Sequence, residues 1–100
     1  MMIITSLSFR VAPGKNADAV KYFKKLLPHI KKLTGAELEL ATQLAGPAGH
    51  YIVTGRYKSV ADWDAMRLKV ANDAATQKMI TENAALFIAG TTTSALWQLV

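Results

Sequence analysis

The chain has 100 residues, no cysteine and a formal net charge of +5, and 51% of its residues are hydrophobic. That length makes a single domain, residues 1–100, which buries only about 60–70% of its extended-chain surface, so an apolar share above the soluble average points to a buried partner interface. The lack of cysteine excludes disulfides and thiolate metal sites and is compatible with a reducing cytoplasm, where the protein is expected to reside.

The opening MMIITSLSF carries no basic stretch before its apolar run, so it is expected to be a strand and not a signal peptide. Residues 2–11 alternate, with Ile3, Leu7, Phe9 and Val11 on one side and Ser6, Ser8 and Arg10 on the other. This is the period of a half-buried strand. Pro13-Gly14 ends it, and Asn16 is placed to cap a helix. The apolar arc of that helix collects Ala19, Val20, Phe23, Leu26, Leu27, Ile30 and Leu33, with Lys21, Lys24, Lys25, Lys31 and Lys32 among the residues opposite. Pro28 removes one intrahelical hydrogen bond and predicts a kink or break. Thr34-Gly35 stops the helix.

A second strand follows through Leu38, Leu40 and Leu44. The turn Gly46-Pro47-Ala48-Gly49 returns the chain into a third strand, where Tyr51, Val53 and Tyr57 alternate with Ile52, Thr54 and Arg56. Together they predict a β-hairpin with a loop of about four residues. Ser59 and Asp62 form an acidic capping box that starts a helix at about residue 60. One side of it is Trp63, Met66 and Val70, and a second is Ala61, Ala65 and Leu68, so two neighbours are expected. Asn72-Asp73 can interrupt and re-cap the helix, after which Met79, Ile80, Ala84 and Phe87 form a stripe that Gly90 stops. Thr91–Val100 alternates as the last strand, with Ala95, Trp97 and Leu99 on one face. The chain is free of charge after Glu82, but polar and glycine residues interrupt it, so no membrane-spanning segment and no membrane partner is expected.

The order strand, helix, strand, strand, helix, strand predicts an α+β, ferredoxin-like βαββαβ fold: a four-stranded antiparallel sheet with its helices on one face. The other face mixes Ile4, Ser6, Ser8, Arg10, Ala41, Gln43, Ile52, Thr54 and Arg56, which suits solvent or a paired sheet. Nucleic acid is not expected as a partner. The RRM shares this plan but needs stacking aromatics that Tyr51 and Tyr57 do not supply at the right spacing.

The strand leading into Val11-Ala12-Pro13-Gly14-Lys15 resembles the start of the dimeric α/β-barrel superfamily. The stretch Tyr57-Lys58-Ser59-Val60-Ala61-Asp62-Trp63-Asp64-Ala65 is similar to its second landmark, a strand running through a capping Ser into a helix with an early Trp. The resemblance covers nearly the whole chain and is nearest to the antibiotic-biosynthesis-monooxygenase type. It implies a homodimer whose sheets pair across a two-fold axis. It also implies a cavity between helices and sheet, with a small aromatic or polyketide-like ligand and cofactor-independent oxidation as the candidate chemistry. A non-catalytic ligand-binding or structural dimer is the alternative. Haem-degrading relatives use a first-strand Asn and a second-helix His, and here Ser6 and Ser8 stand on the first strand and no His follows His50, so no cofactor is expected.

Chemistry of this kind needs a base, a dry pocket and an anion stabiliser. His29 and Tyr22 lie together at the edge of the first helix's apolar arc and are the candidate acid–base pair, although two amphipathic boundary residues would look the same. Trp63 is a candidate pocket wall or a core anchor. Asn72 stands near where the haem-degrading relatives carry their His. Arg10 and Arg56 share a sheet face on adjacent strands and can hold an anion, or can pair with Glu37 or Glu39. His50 sits at the hairpin tip, and neither His has a metal-ligand pattern around it, so no metal is expected.

Overall fold

A computed structural model describes residues 2–46 and 48–100. The elements are β1 (Ile3–Arg10), α1 (Asn16–Thr34), β2 (Leu38–Thr42), β3 (His50–Tyr57), α2 (Val60–Asn72), α3 (Ala74–Glu82) and β4 (Thr93–Gln98), with a short 3-10 turn at Ala84–Leu86 between α3 and β4. The strands form one antiparallel sheet in the order β2-β3-β1-β4. That is the ferredoxin-like arrangement the alternating patterns predict.

Register explains which residues share a face. Ile3 opposes Tyr57, Leu7 opposes Val53 and Phe9 opposes Tyr51, so the apolar set of β1 meets the apolar set of β3 on the helix side. The core there joins Phe9, Val11 and Val53 to Ala19, Tyr22, Phe23, Leu26 and Ile30 of α1. Phe9 stacks on Phe23 with ring centroids 5.1 Å apart, and Phe87 meets Phe9 edge-on at 5.2 Å. Phe87 is drawn in because its segment continues the sheet beyond β4: Ala12 N–H donates to Leu86 O, and Ile88 N–H donates to Arg10 O.

Several local expectations change. Helix α1 begins from the Ala12–Lys15 turn, closed by Lys15 N–H to Ala12 O at 3.0 Å with Gly14 at φ 76. Asn16 is therefore the first helical residue and not the cap, and its Oδ1 accepts from the Tyr51 hydroxyl instead. The helix runs through Pro28 without a break. Pro28 is exposed, while Leu26 and Ile30 on either side are buried, so the packed stripe outweighs the missing backbone bond. Gly35 ends α1 as expected, at φ 80 with its N–H on Lys31 O.

The hairpin connection occupies residues 43–49, longer than four residues, and Pro47 of the expected turn lies outside the described residues. Leu44 belongs to this loop and is fully exposed, so it is not a strand residue. Ser59 Oγ accepts from Asp62 N–H at 3.1 Å and starts α2, and Asp73 ends α2 and caps α3, both as the sequence predicts. On α2 Met66 and Val70 pack against the core, while Val60 and Leu68 are exposed, so the second apolar side is left uncovered among the described residues. The apolar stripe that follows is not one helix up to Gly90. Asn83 caps α3, its Nδ2 donating to Met79 O, and the chain then tightens into the 3-10 turn.

Candidate functional site

The helices leave part of the sheet's inner face uncovered. Leu7 and Leu96 point to the helix side, yet remain 39% and 44% exposed, because α2 does not reach across β4. The result is an apolar chamber of about 210 Å³, open to solvent on one side and bordered by Thr5, Leu7, Leu38, Val53, Tyr57, Met66, Ser94 and Leu96, with Ser6 and Ala95 at its rim. No Asp, Glu, Lys, Arg or His among the described residues lines it.

A second, open cleft of about 850 Å³ lies where β2 begins and β3 runs into α2. Its wall sets Arg56, Lys58 and Lys69 against Glu37, Glu39 and Asp62. Glu37 is engaged by Lys31 at 3.0 Å. Tyr57 and Met66 border both the chamber and the cleft.

Tyr57 is 8% exposed and its hydroxyl has no hydrogen-bond partner among the described residues. Burial pushes its pKa up, so the hydroxyl is neutral and keeps its proton at physiological pH. The ring lies over Gly55: a Cβ built there would stand 3.2 Å from the Tyr57 ring and 2.7 Å from Leu38. A side chain at position 55 would force Leu38 to move and press on Thr5 and that ring, which accounts for glycine in the middle of a strand.

The predicted acid–base pair is placed differently. Tyr22 is buried in the aromatic cluster, 4.9 Å from Phe23 and 5.9 Å from Phe87 between centroids, and burial raises its pKa. His29 instead faces the junction of α2 and α3. Its Nε2 lies 2.8 Å from Thr76 Oγ1 and 3.3 Å from Asp73 Oδ2, while Thr76 donates to Asp73 through its hydroxyl at 2.6 Å and its N–H at 2.9 Å. The single hydroxyl proton goes to the carboxylate, so the Thr76 contact requires a proton on Nε2 and leaves Nδ1 as the ring's free position. Tyr22 and His29 make no hydrogen bond to each other among the described residues, and neither borders the chamber or the cleft.

The Thr76 hydroxyl and N–H, followed by His29, hold the Asp73 carboxyl below its usual range. A depressed carboxylate stabilises the fold above its unfolded-state pKa, and this stabilisation disappears as pH falls through the folded-state value. Asp73→Ala should therefore melt below the wild type at neutral pH, with the gap closing in strongly acidic buffer. Thermal melts across pH check this, and a gap that stays constant with pH would count against it.

Of the other candidates, Arg56 lines the open cleft. Arg10 of β1 opposes His50 while Arg56 of β3 opposes Ile4, so they share the outer face but lie level with opposite ends of β3. Six residues of strand separate them by about 20 Å, too far to grip one small anion. Arg10 donates to Ala48 O at 3.4 Å. Trp63 is half-buried outside the core, with the Arg67 guanidinium 5.5 Å from its ring centroid, and borders neither chamber nor cleft. Asn72 is exposed at the end of α2.

Sequence reasoning passed over Tyr57 as a site residue. An inward-facing Tyr two positions after a mid-strand Gly was the available signal. No group of three or more potential ligands among the described residues could hold a metal, and no described helix is long and apolar enough to cross a membrane.

No protein-family model matches the chain, and no curated protein matches it. Solved structures do. A NIPSNAP family protein from Agrobacterium tumefaciens is 21% identical at a TM-score of 0.84, over 99% of this chain and 86% of that one. A NIPSNAP-like domain protein from Burkholderia xenovorans is 14% identical at 0.85, over 99% and 85%. A candidate antibiotic biosynthesis monooxygenase from Bordetella bronchiseptica is 21% identical at 0.75, over 99% and 97%. At these identities the likeness shows the ferredoxin-like fold that the resemblance implied.

Proposed function

We propose that the protein works as a homodimer in which each chain holds a small apolar molecule between its helices and its sheet. The observation that carries this reading is the uncovered inner face at Leu7 and Leu96, which opens an uncharged chamber in a domain of otherwise ordinary packing. Pockets that bind small molecules are concave and mostly apolar, with a few placed polar groups, and Thr5, Ser94 and Tyr57 are those groups here.

A fluorescent dye that brightens in apolar surroundings tests the chamber. One dye should bind per chain, and Leu96→Arg should abolish binding while the domain still melts cooperatively. Leu96 lies on the edge strand and is part-exposed, so the long side chain can keep its charge in water. Undiminished binding by Leu96→Arg would place the dye elsewhere and remove the reading.

The second reading is a cofactor-independent monooxygenase acting on an aromatic or polyketide-like compound. It is favoured by the shared fold with the Bordetella protein and by an imidazole that Asp73 and Thr76 hold in one tautomer, leaving Nδ1 able to take a proton. His29 would be the base, while Tyr22, seven residues before it on α1, is turned into the aromatic cluster. Their separation from both clefts is the argument against it. Oxygen uptake with a panel of phenols decides the matter: uptake that His29→Gln abolishes supports turnover, and no uptake by wild type leaves the binding dimer.

A further inference from the structure

We infer that Tyr57 is the recognition group of the inner chamber, and that the ligand it selects is a small neutral molecule with one hydrogen-bonding group, of the size of a phenol. The inference rests on the binding reading above and adds the chemical class of the ligand. Three observations carry it.

The first is the orphaned hydroxyl. A phenolic O–H buried without a partner forfeits the hydrogen bonds it makes with water in the unfolded chain. Phenylalanine would fill the same space without that loss. A group retained at such a cost calls for an explanation, and a ligand atom at the chamber wall supplies one.

The second is the lining, which contains no charged side chain. A carboxylate or ammonium laid against this lining would give up part of its hydration and meet no counter-charge, so the group that sits there is neutral. Because burial raises the Tyr57 pKa, the hydroxyl can donate to a carbonyl or accept from another hydroxyl.

The third is size. At about 30 Å³ for each water-sized group, 210 Å³ holds about seven non-hydrogen atoms. That covers one six-membered ring with a substituent, and anything larger would extend through the open side into solvent. The hydroxyl is itself sealed from water, so a ligand reaches it only once a neighbouring side chain moves, and Met66 borders both chamber and cleft. Its unbranched side chain can shift rotamer without disturbing α2.

Phenol and toluene match in size and differ only by the hydroxyl, and benzoate adds a charge. Each is titrated into wild type and Tyr57→Phe while backbone amide NMR shifts are followed. In wild type phenol should bind about fivefold to tenfold more tightly than toluene, the value of one hydrogen bond, and benzoate should not bind. Tyr57→Phe should equalise phenol and toluene. Its ligand-free melting temperature should equal or exceed that of wild type, because the substitution deletes an unpaired group. A merely structural tyrosine would leave the phenol preference untouched. Equal binding of phenol and toluene to wild type would overturn the role of Tyr57 while leaving the chamber as a binding site. Failure of every probe to bind would overturn the binding reading itself, and a Tyr57→Phe protein that melts several degrees lower would show that the hydroxyl is already satisfied.

Discussion

Phe9→Ala should cost about 3–5 kcal/mol, the range for truncating a large buried aromatic. For a domain of this size that lowers the melting temperature by roughly 15 °C or more. Phe9 is 3% exposed and is the hub of the aromatic cluster, stacking on Phe23 and Tyr51 and receiving the edge of Phe87. Its loss opens a cavity between β1, α1 and the segment before β4, three elements that cannot close together over it. Trp63→Ala is the informative comparison. The sequence alone suggested Trp63 as the anchor of α2, but its ring lies outside the core under Arg67. Its removal should cost about 1 kcal/mol, the scale of an exposed cation–π contact. Denaturant melts of the two variants measure the difference, and equal losses would contradict the placement of both rings.

These two residues show where pattern suffices and where it stops. Phe9 was legible because strand alternation has a period of two, so Ile3, Leu7, Phe9 and Val11 can only share a face, and the helix period of α1 brings Phe23 to meet them. Trp63 was misplaced although the side of α2 that it shares with Met66 and Val70 is the one that meets the core, because periodicity fixes the side of a helix and not how far along it the packing extends. Met66 and Val70 turn inward, and Trp63 is left at the margin. The candidate site was less legible than the fold for a related reason. Spacing placed Tyr22 and His29 at one edge of α1, but His29 is claimed by Asp73 and Thr76, which are distant in sequence and meet it only through the packing of α3 on α1. Arg10 and Arg56 fall on one face as parity dictates, yet parity says nothing of distance along the strand. The Asn72-Asp73 interruption was legible because capping is local chemistry.

The strongest expected change in assembly comes from Trp97→Glu, which should convert a homodimer into a monomer. Register puts Trp97 beside Ile4 on the sheet face that the helices leave bare, next to Ala95, with Ile52 and Ala41 paired farther across the same face. Trp97 is 61% exposed there, a large aromatic set on an edge strand. Edge strands that carry apolar side chains invite uncontrolled pairing unless something covers them. A second sheet packed face to face would cover Trp97, Ile4 and Ile52 and enclose Thr54, Ser6 and Ser8 as a partly polar interior. Such an interface should bury more than about 1,000 Å² in total. A glutamate at position 97 would then be desolvated against Ile4, with its charge unpaid unless Arg56, on the far side of Ile4, reaches it. Wild type at micromolar concentration should sediment at about twice the 10.9 kDa chain mass, and Trp97→Glu at the chain mass with its melting behaviour retained. Trp97→Phe, which keeps an apolar ring on the face, should remain dimeric. A wild-type protein that sediments as a monomer would return this face to solvent and leave each chamber to work within a single chain.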